Sequence, residues 1–163
     1  MKILIELFDK EPIENVCAAA VFRPEQVVYL GDTRLMTEKQ KDNIRRFYKN
    51  RGLTDRIVFR EVGTDDPLKI AAALKEAAAR VDDCVIDVTG GTDLLLVAAG
   101  ALAAEQQLPI FFMNIHTGEF VNIHGCEALA EGFSLPSLTV EDLMIPRDDS
   151  AVSEGEIFRD ERF

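Results

Sequence analysis

The chain has 163 residues and a formal charge of −11, with 29 acidic against 18 basic side chains. So acidic a balance argues against non-specific attachment to DNA or to an anionic membrane surface. Three cysteines (Cys17, Cys84, Cys126) with no Cys-x-x-Cys spacing offer neither a disulfide framework nor a zinc site, and the longest apolar run, residues 94–104, is well short of the ~20 residues that span a bilayer.

One domain is expected at this length, over residues 1–145, followed by an acidic linker or disordered tail at 146–163 that lacks periodicity. Met1 and Lys2 lead into the first strand with no signal-peptide pattern, so a cytoplasmic protein is expected. Residues 3–8, Ile-Leu-Ile-Glu-Leu-Phe, read as a strand apolar enough for the middle of a sheet. Residues 9–12 then turn into a helix with Pro12 in its first turn, where proline is tolerated. Ile13, Val16, Cys17, Ala20 and Val21 would share one face of that helix, which Arg23-Pro24 ends.

Val27 to Leu30 form a second strand, stopping at Gly31-Asp32. Thr37 with Gln40 has the form of a capping box opening a helix to about Asn50, closed by Gly52. Lys41, Arg45 and Lys49 repeat every four residues there and read as a solvated face. Residues 56–62 are a third strand, and Asp66-Pro67 opens a third helix carrying Leu68, Ala71, Ala72, Leu74 and Ala78.

The centre of the chain is residues 84–93, Cys-Val-Ile-Asp-Val-Thr-Gly-Gly-Thr-Asp, a buried strand, a glycine turn and an immediate helix. Gly90 and Gly91 lack a Cβ, so the turn can take positive φ and admit a ligand close to its backbone. Thr89, Thr92 or Asp93 is placed to cap the helix, whose first amides have no internal partner. A helix start at the carboxyl end of a parallel strand favours an anion such as a phosphate. The turn matches neither Gly-x-x-x-x-Gly-Lys-Ser/Thr nor Gly-x-Gly-x-x-Gly, which weakens triphosphatase and dinucleotide readings. A fifth strand spans residues 109–115, a turn at 116–119 returns the chain through 120–123, and residues 139–144 suggest a short last helix.

Five alternations of strand and helix with short joints predict an α/β fold: a Rossmann-like parallel sheet with helices on both faces, plus a C-terminal antiparallel edge hairpin. The helix after the glycine turn has no polar residue from 94 to 104 and hence no face suited to water. A second copy of the chain is the economical cover, so a homodimer is expected.

Residues 6–15, Glu-Leu-Phe-Asp-Lys-Glu-Pro-Ile-Glu-Asn, together with Asp87-Val88-Thr89-Gly90-Gly91-Thr92, resemble the CARF (CRISPR-associated Rossmann fold) domain. The likeness covers about residues 1–145 and is greatest to the N-terminal sensor domain of proteins that continue into a restriction-endonuclease-like nuclease. It implies a homodimer binding a cyclic oligoadenylate second messenger, most often cyclic tetra-adenylate, across its two-fold axis. It further implies control of a nuclease effector in type III CRISPR antiviral defence. In that reading the phosphates face Thr89, Gly90, Gly91 and Thr92. The loop bearing Phe8, Asp9, Lys10, Glu11, Pro12 and Asn15 lines the ring, with Gly31, Asp32 and Arg34 beside it. Lys10 and Arg34 join the backbone amides in neutralising charge, and His116 follows the fifth strand as a further contact.

Asp93 departs from relatives that carry a basic or neutral polar residue there; it suits the helix dipole but would repel a phosphate directly above it. The nuclease half is missing, and no Pro-Asp with a following Glu-x-Lys marks a metal-dependent nuclease. No cofactor, no metal and no direct DNA or RNA binding are therefore expected, and this chain is not expected to be an enzyme. An alternative is a ring nuclease, in which a ribose 2′-hydroxyl attacks the adjacent phosphate with Thr89, Thr92, Lys10 or His116 assisting. A further alternative is a dimerisation module that senses nothing.

Overall fold

The computed structural model describes residues 1–63, 66–78, 83–135 and 137–139. Its elements run β1 (Ile3–Leu7), α1 (Cys17–Phe22), β2 (Gln26–Gly31), α2 (Glu38–Asn50), β3 (Ile57–Glu61) and α3 (Pro67–Ala78). They continue as β4 (Cys84–Asp87), α4 (Asp93–Gln106), β5 (Ile110–Asn114), β6 (Glu119–His124) and α5 (Glu127–Glu131). One sheet has the order β3-β2-β1-β4-β5-β6, parallel except for the β5–β6 pair at its edge. This is the Rossmann-like sheet with an antiparallel edge hairpin that alternation predicts.

Side chains alternate across β1, so one strand feeds two cores. Ile3, Ile5 and Leu7 join the layer under α3 and α4, with Ile70, Leu74, Leu95, Ala99 and Leu102. Leu4 and Phe8 join the layer under α1 and α2, with Ala18, Tyr29, Ile44, Phe47 and Tyr48. Each fully buried Leu, Ile or Phe contributes roughly 1.5–3 kcal/mol, and β1 is buried throughout. The Tyr29 and Tyr48 hydroxyls, both buried, lie 2.8 Å apart and satisfy each other.

Two local readings are corrected. Helix α1 begins at Cys17, not near Pro12; Asn15 instead bonds back to Asp9, and this side-chain bonding competes with a helical start. Lys41 is not on a solvated face: it is 7% exposed and pairs with Glu38 and Glu61, while Arg45 lies 5.1 Å over the Phe59 ring. Leu68, in the first turn of α3, is 82% exposed. Helix α5, which is not among the elements expected from the sequence, is one short turn whose Leu129 packs on the α1/α2 side. The helix expected at 139–144 beyond its first residue, and the acidic tail, lie outside the described residues.

The Thr37 hydroxyl accepts from the Gln40 amide at 3.3 Å, as the capping pattern predicts. Gly52 after α2 has φ +59°, which glycine takes without a Cβ penalty.

Candidate ligand site at the carboxyl ends of β1 and β4

Strand order places β1 beside β4, and the chain leaves β1 toward β2 on one side and β4 toward β5 on the other. The loops after these two strands therefore diverge and open a crevice above the sheet, the usual ligand position in an open α/β fold. The loop after β1 and the turn after β4 are held together across that crevice.

The β1 loop is shaped by Asn15, which is buried. Its Oδ1 accepts from the Asp9 amide at 2.7 Å and its Nδ2 donates to the Asp9 carbonyl at 2.8 Å. Tyr29 from β2 donates its hydroxyl to the Asn15 carbonyl. Asp9 then faces outward from the knot: Oδ1 accepts from the Glu11 amide at 2.9 Å and Oδ2 from the Gly91 amide at 3.0 Å. Asn15 therefore organises the loop from beneath, and Phe8, 1% exposed, packs edge-on against Tyr29. Lys10 and Glu11 are exposed, and Pro12 is half-buried.

The β4 turn is tied down from below. Thr89 donates both its amide and its hydroxyl to Asp87 Oδ1, and its hydroxyl accepts from the Met113 amide of β5 at 2.9 Å. Gly91 has φ +111°, and a Cβ there would lie 2.7 Å from Leu7 Cβ; one on Gly90 would lie 2.9 Å from Asp9 Cβ. Both glycines are thus required by the close approach of turn and loop. Thr92 has the extended backbone of an N-cap but makes no capping bond. Its hydroxyl is buried with no partner among the described residues.

Gly31, Asp32 and Arg34 form the third wall. A Cβ on Gly31 would meet Phe8 Cβ at 2.5 Å, so the end of β2 presses directly on the β1 loop. The Asp32 carboxylate accepts the Arg34 amide at 2.7 Å and its guanidinium at 2.6 to 3.1 Å. The expected neutralising charge of Arg34 is therefore already matched by Asp32. An open hollow of about 250 Å³ lies here, lined by Phe8, Asp9, Lys10, Arg34, Leu35, Thr37 and Gln40. It gathers the first and third walls; the glycine turn adjoins it through Asp9.

His116 is exposed in the turn before β6, and its charge acts on Glu14, which brings it to the β1 loop. Burial raises the Glu14 carboxyl above its ordinary value, and the neighbouring Asp9 and Glu11 add to that. The rim is thus acidic on the loop side, with Lys10 and His116 acting against it.

Beneath the site lies a feature that reading the sequence did not single out as a unit. Glu6 and Asp87 are partners in the β1–β4 register, and both are buried in the apolar sheet. Burial pushes Glu6 well above the ordinary carboxyl range and Asp87 up to about 7. The only advance signal was a lone acidic residue in each of two otherwise apolar strands.

Among the described residues no group of three or more His, Cys, Asp or Glu is arranged to hold a metal ion. None of their helices is long and apolar enough to cross a membrane. The three cysteines are buried free thiols.

No protein-family model matches the chain, and no curated protein matches it in sequence. Solved structures do match in fold. Can2 from Sulfobacillus thermosulfidooxidans, in complex with cyclic tetra-adenylate, superposes with a TM-score of 0.69 at 16% identity, over 78% of this chain and 36% of Can2. Protein VC1899 from Vibrio cholerae gives 0.57 at 18% identity, over 69% of this chain and 30% of that one. The chain spans about a third of the length of these proteins, and the likeness is one of fold.

Proposed function

We propose that this chain is a CARF-type sensor domain that binds a cyclic oligoadenylate, with cyclic tetra-adenylate the first ligand to test, and that it does so as a homodimer. The observation that carries the reading is the convergence of Asp9, Arg34 and the Thr89–Thr92 turn on one crevice at the carboxyl ends of β1 and β4. The fold is that of Can2, which was solved with cyclic tetra-adenylate.

The recognition chemistry follows from the groups on the rim. Lys10 supplies an exposed cation, the first amides of α4 supply donors that a helix start leaves without an internal partner, and the Thr92 hydroxyl has no partner among the described residues. A phosphate reaching Gly91 competes with the Asp9 carboxylate for the same amide. A two-fold ring is matched by two copies of the site, each reading half of it. The outer side of α4, with Val97 70% exposed, is the apolar surface on which the second copy would pack. The biological role we assign is control of a nuclease effector in type III CRISPR defence, in the cytoplasm.

Calorimetric titration with cyclic tetra-adenylate, followed by chromatography of the recovered nucleotide, tests this. One intact ring per two chains is the expected result. Linear product would make the chain a ring nuclease, and no heat with rings of any size would refute the sensor reading.

A further inference from the structure

Two acidic side chains adjacent in register, buried in an apolar sheet, cannot both carry charge without a compensating cation. Among the described residues, the titratable groups acting on Glu6 and Asp87 include Cys17 from α1, Tyr29 from β2, Tyr48 from α2, Cys126 before α5, and Glu14 from the β1 loop. None of these is basic. Glu6 Oε1 and Asp87 Oδ2 are buried with no hydrogen-bond partner among the described residues. Asp87 Oδ1, by contrast, already receives two donors from Thr89, so a proton held by Asp87 belongs on Oδ2. Thr89 is the first residue of the glycine turn, and its hydroxyl also anchors the turn to β5.

We propose that Glu6 and Asp87 hold a proton between them, and that by keeping β1 and β4 together this proton holds the glycine turn against the β1 loop, where Asp9 accepts the Gly91 amide. Glu6 and Asp87 are positioning residues: they touch no ligand and act on the turn from beneath. When the proton leaves, two like charges face each other in the core and the ends of β1 and β4 separate, while the ionised Asp87 stays an acceptor for Thr89, whose hydrogen bonds favour its charged form. The turn then opens more often, and capture of an anion by its amides weakens as pH rises. That last step rests on the sensor reading above; the proton pair itself does not.

The direction is supported by burial, which raises both carboxyls and brings Asp87 to about 7 against ~4 when exposed. The test is hydrogen exchange at the Gly91 amide of the full chain without ligand, at pH 6 and pH 8, after allowing for the intrinsic rate. Opening is expected to rise roughly tenfold between those pH values. The double variant Glu6→Gln with Asp87→Asn, which leaves no carboxyl in the pair, is expected to change less than twofold. Equal pH dependence in both proteins overturns the proposal. Should the double variant fail to fold, infrared spectroscopy of the wild type decides. A protonated-carboxyl band at pH 6 that is lost by pH 8 supports the pair, and its absence at pH 6 overturns it. Titration with cyclic tetra-adenylate at both pH values separates the two readings. Exchange that follows pH with no binding at either pH overturns the sensor reading alone, whereas binding that is equal at both overturns the coupling of proton to ligand.

Discussion

The Asp9 carboxylate accepts the Gly91 amide at 3.0 Å, joining two residues 82 positions apart in the chain. The same carboxylate closes its own loop on the Glu11 amide. One side chain therefore sets both the shape of the β1 loop and its distance from the β4 turn. Asp9→Ala strands two amides and should lower stability by about 1–3 kcal/mol, read as a reduced urea midpoint with an unchanged slope. Asp9→Asn, which keeps an acceptor oxygen, should lose less than half as much.

Gly91 and Gly31 are expected to resist any side chain, for different reasons. At Gly91 the positive φ and the 2.7 Å approach to Leu7 act together; Gly91→Val should abolish messenger binding while the dimer persists, measured by calorimetry and by sedimentation. At Gly31 the φ is ordinary and only the 2.5 Å approach to Phe8 matters. Gly31→Ala should cost roughly 1–3 kcal/mol through displacement of the β1 loop, seen in thermal unfolding.

Global stability should fall as pH rises through neutrality. Glu6 and Asp87 have folded-state values raised by burial, so the unfolded chain gives up these protons at lower pH than the folded one. Their contribution is complete below ~4 and is lost progressively up to about 7 for Asp87. Between pH 5 and 7 this amounts to roughly 2 kcal/mol for Asp87 alone. Urea unfolding at a series of pH values measures it, and a midpoint that rises over this range would contradict the assignment.

The outer face of α4 carries Val97 at 70% exposure, beside Ala98 and Ala101. If a second copy covers it, Val97→Glu should convert a dimer to a folded monomer, with retained circular dichroism and a halved mass by light scattering. An unchanged dimer would move the interface elsewhere on the molecule.

Local chemistry was enough for much of this architecture. Strand and helix periods, the Thr37 cap, the Gly52 stop and the Thr-Gly-Gly-Thr turn each depend on residues within a few positions of one another. Their order in turn implies a parallel sheet, since short helical crossovers permit little else. Local pattern failed where a side chain found a stronger local rival or a distant partner. Asn15 bonded back to Asp9 and delayed α1, and Lys41 left the solvated stripe of α2 for Glu61 on β3. What only the tertiary structure decided is which residues meet at the site. Asp9 meets Gly91, and Glu6 meets Asp87, because strand order sets β1 beside β4. That adjacency is a property of the folded sheet: no short-range pattern encodes which strand will lie next to which, or which buried charge will face another.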